Sequence, residues 1–145
     1  MKRQIKFRGK RKDLDQWIIG SYHLHQDVML CIATKEQVKE NIKAMIIIDG
    51  MSDWGLSIPI NTYEVIPESV GQFTGLKDSN GKEIYEDDIV KGCCFNGAYA
   101  YGTIIQYKTG WIVSPIGRFI EGYDDIDTLG IEVIGNIHDK NELIN

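Results

Sequence analysis

Short apolar runs cut by glycine limit this sequence more than any other feature. Fifteen glycines stand among 145 residues, against three prolines. Glycine weakens helix interiors and serves turns that need positive φ. Spaced between runs rich in Val, Ile, Tyr and Phe, it predicts short strands joined by tight turns. Asp78-Ser79-Asn80-Gly81 carries an Asn-Gly pair, as in two-residue hairpin turns where both central residues have φ > 0, and Asn96-Gly97 offers a second.

Periodicity fills in the strands. Ile5 and Phe7 alternate with Lys6 and Arg8, which predicts a half-buried strand with the apolar pair inward and the cations outward. Lys10 to Gln16 reads as a turn. Trp17 to Tyr22 and Val28 to Ala33 read as strands, linked by the polar stretch His23 to Asp27. Thr34 and Gln37 have capping-box spacing, and Val38, Ile42 and Met45 then share a helical face, so one short helix is predicted over 34–44. Met45 to Ile48 reads as a buried strand, Asp49 to Ile60 as a loop and Thr62 to Ile66 as a strand. Ile84 to Val90, Tyr101 to Tyr107, Trp111 to Ser114 and Ile131 to Ile137 complete the set, with a turn at Lys108-Thr109-Gly110. The pattern implies a mainly β chain: an N-terminal β section (about 1–66) with one short helix, and a section (about 67–145) that reads as a small barrel or sandwich. Both belong to one compact domain over 1–145, with Pro67 a soft boundary.

A chain of this length can bury a core without disulfide or metal support. Its three cysteines, Cys31, Cys93 and Cys94, are an odd number, which argues against a disulfide framework. No stretch reaches the roughly 18 apolar residues of a membrane span. The basic start lacks the apolar segment of a signal peptide, so a cytoplasmic location is expected. Net charge is −5, yet seven of the sixteen basic residues fall within the first twelve positions. The acidic balance argues against broad nucleic-acid affinity, while leaving a local basic patch.

From Pro67 the chain reads Pro67-Glu68-Ser69-Val70-Gly71-Gln72-Phe73-Thr74-Gly75-Leu76-Lys77-Asp78, then Asn80-Gly81-Lys82-Glu83-Ile84-Tyr85-Glu86-Asp87-Asp88-Ile89-Val90. Ile5-Lys6-Phe7-Arg8-Gly9-Lys10 opens the chain and Ile131-Glu132-Val133-Ile134-Gly135-Asn136-Ile137 stands near its end. This resembles the YopX family of small phage- and prophage-encoded proteins. The resemblance implies a mostly β fold whose C-terminal part is a small SH3-like barrel, and it brings no catalytic residue with it. The family usually has Gly-Asp where this chain has Asp87-Asp88, a turn position that glycine tolerates better than aspartate.

Lys2, Lys6, Arg8, Lys10, Arg11 and Lys12 form the main candidate interaction patch. A cationic strand can neutralise phosphates, meet an acidic protein surface, or guard a sheet edge. Gln72, Thr74 and Lys77 on turns, with Phe95 and Tyr99 beside Asn96-Gly97, are candidate barrel-rim contacts. Glu83, Glu86, Asp87 and Asp88, and likewise Asp124, Asp125 and Asp127, read as solvated carboxylates. His23 and His25 share a strand face, a spacing that can place two imidazoles on one zinc, but no third ligand stands at diagnostic spacing. Adjacent Cys93 and Cys94 diverge on a strand. No phosphate loop, nucleophile elbow or zinc-protease motif occurs. The expectation is therefore a non-enzyme without metal or cofactor: first a protein-interaction module, self-association and homo-oligomers included, and second a weak nucleic-acid binder.

Overall fold

The computed structural model describes residues 4–26, 34, 36, 41–49, 59–93, 99–108, 110–116 and 130–139. The mainly β expectation holds. Among the described residues there are ten strands: β1 (Phe7–Lys10), β2 (Trp17–Gln26), β3 (Ile42–Asp49), β4 (Ile60–Glu64), β5 (Gly71–Lys77), β6 (Glu83–Tyr85), β7 (Asp88–Cys93), β8 (Tyr99–Tyr107), β9 (Gly110–Pro115) and β10 (Glu132–Asn136), with a 3-10 turn at Pro67–Ser69. They fall into two compact units, Ile5–Val70 and one that includes Gly71–Asn145.

In the first unit β1 to β4 form an antiparallel run in chain order. β2 serves two partners in succession, pairing β1 through Trp17–Gly20 and β3 through Ser21–Gln26. Gly20 marks the change. A Cβ there would lie 2.2 Å from the Ile47 carbonyl oxygen and 2.9 Å from Ile46 Cγ2, so only glycine fits the bend. An isolated bridge between Arg11 and Val65 ties the end of β1 to the end of β4. Lys12 N donates to Glu64 O and Ile66 N to Lys10 O around it. Ala44, Ile46 and Val65 form the buried centre, with Phe7, Ile18, Tyr22, Ile48 and Val70 packed on it.

In the second unit β5 and β6 form a hairpin, and β10-β7-β8-β9 form a four-stranded sheet. Ile84, Val90, Ile104, Ile131 and Val133 are its core, with Leu76, Trp111 and Val113 against them. The sheet is open: β10 and β9 are its outer strands, so the expected closed SH3-like barrel is not formed among the described residues.

Several local expectations are corrected. The helix over 34–44 gives way to strand by Ile42, because Ile42 to Ala44 pair with Gln26 to Leu24; Glu36 is helical, and most of the predicted helix lies outside the described residues. His23 to Gln26 is not a link but the second half of β2, held by that same pairing. Val28 to Ala33 lies outside the described residues. Ile5, expected inward, is 67% exposed because β1 begins only at Phe7. Ile84 to Val90 is two strands, broken at Glu86-Asp87 with Asp87 at φ 65. The Asn80-Gly81 turn forms with a different geometry. Only Gly81 has positive φ (82), and its N–H donates to Asp78 O, which is the turn followed by a left-handed glycine rather than the two-residue form. Asn96-Gly97 lies outside the described residues.

Candidate functional site

Alternation along the strands sorts the first unit's sheet into two faces. One packs on the core. The other carries Arg8 and Lys10 from β1 and Trp17, Ile19, His23 and His25 from β2. β3 adds Lys43, Met45 and Ile47, and β4 adds Ile60, Thr62 and Glu64. Met45 to Ile48 was expected to be buried throughout. Instead Ala44 and Ile46 are buried while Met45 and Ile47 are partly exposed on the outer face.

Trp17 organises one end of that face. Lys10 stands opposite it in register and Arg8 opposite Ile19. The Arg8 guanidinium carbon lies 4.7 Å from the indole centroid and the Lys10 ammonium 5.9 Å from it. Contacts of this kind are worth about 0.5–2 kcal/mol, the more so when partly desolvated. Lys10 is only 8% exposed, its ammonium 2.6 Å from Asp15, and its backbone N–H donates to Ser69 Oγ at 2.8 Å. Lys12 meets Glu64 at 2.6 Å. Arg11 turns to the other side, donating to both oxygens of Asp13 (2.9 and 2.6 Å) and lying 4.5 Å over Tyr63. The hydrogen bond from Arg11 pulls the Asp13 carboxyl below its usual range, and the same bond pushes Arg11 up.

The predicted basic patch is thus rearranged. Lys2 lies outside the described residues, Lys6 precedes β1, and Arg8 stands on the outer face. Lys10, Arg11 and Lys12 direct their charge at carboxylates of their own chain. A continuous ladder of solvated cations is therefore not what β1 presents. What the face adds, unforeseen from sequence, is apolar surface: Ile19 is 44% exposed and Ile60, on the outer strand β4, 66%.

Of the predicted barrel-rim residues, Thr74 departs from the expectation of an exposed turn. Thr74 is buried, where its hydroxyl donates to Ile84 O at 2.9 Å and accepts from Leu76 N at 3.2 Å. It bridges the bulge at Gly75 (φ 92), so it holds the hairpin rather than meeting a ligand. Gln72 pairs with Glu86 through its backbone, and Lys77 is exposed. Tyr99 opens β8 opposite Cys93, and Phe95 lies outside the described residues.

The acidic groups are also corrected in part. Asp88, expected to be solvated, is fully buried. One oxygen accepts from Tyr85 N at 2.9 Å and the other from Asn136 Nδ2 at 3.2 Å. Asp78 was not singled out by the sequence, yet Oδ1 accepts from Asn80 N and Lys82 N and Oδ2 from Val133 N. Burial alone would raise its pKa, but the three amides together hold it below the ordinary 3.8. Glu86 goes the other way, pushed up by burial and by the neighbouring Asp87 against one weak bond from Gln72 N. Asp87 lies 3.5 Å from His138 Nε2. Asp124, Asp125 and Asp127 are outside the described residues. Among the described residues no three His, Cys, Asp or Glu side chains gather where a metal could sit. No helix among them is long and apolar enough to cross a membrane.

Two units of antiparallel strands, each with its own small core, and one sheet face showing aromatic, aliphatic and cationic groups to solvent define a small all-β protein. Asp78 and Asp88, both buried, spend their carboxylates on hydrogen bonds within the fold. The chain belongs to the YopX family: the family model described as YopX protein matches residues 6–145, from the edge of β1 to the C-terminus. No curated protein matches it.

Proposed function

We propose that this chain is a phage or prophage accessory protein acting in the cytoplasm as a non-catalytic protein-interaction module. Its docking surface is the outer face of the β1–β4 sheet. The observation that carries the reading is the composition of that face: Trp17 stacked by Arg8 beside partly exposed Ile19, Met45, Ile47 and Ile60. Trp and Arg dominate the energetics of protein interfaces, and an apolar centre with a charged rim is their usual anatomy. Arg8, Lys10, Lys12 and Lys43 outnumber Asp15, Asp49 and Glu64 there, although the whole chain is acidic. The fitting occupant is a partner protein whose matching surface is apolar and acidic. Nucleic acid is the second reading, and it is weaker because Lys10 and Lys12 are already matched by carboxylates that phosphate would have to displace.

The test compares the wild type with Trp17→Ala and Arg8→Ala variants of unchanged thermal stability. Partners cross-linked to the wild-type chain, or its own dimer measured by light scattering, should be lost in both variants. A wild-type chain that is monomeric at every salt concentration and captures the same proteins as the variants overturns the reading. So does Arg8-dependent binding of an oligonucleotide at low salt without any protein partner.

A further inference from the structure

His23 and His25 play no part in either core, and their placement has a chemistry of its own. Two residues apart on β2, they project to the same solvent-facing side, both exposed, with ring centroids 6.2 Å apart. A metal bound to one imidazole nitrogen at about 2.0–2.1 Å sits roughly 3.2 Å from that ring's centroid, so two rings on one ion at a tetrahedral angle are about 5.2 Å apart. The two exposed rings must therefore close by about 1 Å, a change that rotation about their χ1 and χ2 bonds supplies without moving the strand.

We infer that His23 and His25 form a chelating site for a late first-row divalent transition ion of the zinc type, water completing its coordination. Imidazole donors suit zinc, nickel and copper, not magnesium or calcium. The neighbours shape the site. Met45 stands opposite His23 in register and Lys43 opposite His25, so the same face carries a thioether and a cation. Lys43 therefore holds the affinity down. The site shares the outer face and Met45 and Lys43 with the docking surface, but Trp17, the anchor of that surface, lies at the other end of β2, so the two are tested apart.

The test is a zinc titration of the whole chain followed through its imidazole NMR resonances, which separates these histidines from His138 and from the cysteines. His23 and His25 should shift together and saturate, with no response to magnesium. His23→Ala or His25→Ala, both at exposed positions, should each abolish the saturable shift of the remaining ring. Lys43→Met should tighten binding, and Trp17→Ala should leave it unchanged. Zinc shifts confined to His138, no shift at either ring, or undiminished binding at the remaining ring in His23→Ala would each overturn the inference.

Discussion

Replacing Asp78 by alanine removes one carboxylate and leaves three backbone amides without their acceptor. Two of these, Asn80 N and Lys82 N, donate to Oδ1 at 2.9 and 2.8 Å in a turn open to water, which can partly replace the lost partner. The third, Val133 N, donates to Oδ2 at 3.0 Å from a buried residue of β10. A hydrogen bond to a charged group contributes about 1.5–3 kcal/mol, and an orphaned buried donor costs about 1–3 kcal/mol. Counting the turn amides at about 1 kcal/mol each and the buried one in full gives a loss of about 3–5 kcal/mol, against roughly 5–15 kcal/mol for a whole domain. Asp78 lies just under the surface, at 7% exposure, covered by the turn it organises. Asp78→Asn keeps an acceptor for the turn but sets its NH2 against Val133 N–H, so it should lose an intermediate amount. Urea denaturation followed by Trp111, which packs on this unit's core, gives the free energies. The folded carboxyl titrates below 3.8, so its contribution is complete above that pH and disappears as pH falls through the folded pKa. The variant and the wild type should therefore converge in acid. A loss under about 0.5 kcal/mol at pH 7, the size of an ordinary surface change, would refute the view that this carboxylate fastens the hairpin turn to β10.

Three further outcomes follow from the same geometry. Gly20→Ala forces a methyl against the Ile47 carbonyl at 2.2 Å and should cost about 1–3 kcal/mol or more of overpacking, read as a lower urea midpoint; an unchanged midpoint would remove Gly20 as the corner of β2. Asp87→Gly places the family's usual residue at φ 65 and relieves roughly 1–2 kcal/mol of left-handed strain, less the lost contact with His138, so thermal unfolding should shift upward, and a downward shift would mean that the His138 contact outweighs the strain. Glu86→Gln should stabilise the protein at pH 7, because burial raises the folded pKa and the charged form is penalised; the gain should vanish below the unfolded carboxyl range, and a loss at pH 7 would show that the bond from Gln72 N outweighs burial.

Strand positions were legible where a single period ran between glycines. β8, β9 and β10 follow β-branched and aromatic runs, and their boundaries sit close to those expected. The second half of β2 was not legible, since His23-Leu24-His25-Gln26 is polar enough to read as a link. Pairing with β3, not hydrophobicity, makes it strand. Helical spacing misled at Ile42 and Met45 for the same reason: tertiary pairing overrides a weak local pattern. Asp78 and Asp88 look alike in sequence to Glu83 and Glu86, and only the buried backbone amides that reach them, from Val133 and Tyr85, mark them as fasteners. The apolar content of the outer face was hidden inside the run Met45 to Ile48, which gives no sign that every second member faces out.

The long central run shared with the family is best understood through what its residues hold. Thr74 bridges the bulge, Asp78 collects the turn and β10, and Asp88 collects Tyr85 and Asn136. Each spends its hydrogen bonds on the fold, so a substitution there disturbs the second unit before it could disturb any ligand. The first unit is built otherwise. Its core needs only one face of β1 to β4, which leaves the other free to vary without harm to Ala44, Ile46 and Val65. A surface that can change while its support stays fixed is where partner choice is cheapest to encode. Variants on the Trp17 face should therefore alter binding with little effect on stability, and variants at Asp78 or Asp88 the reverse.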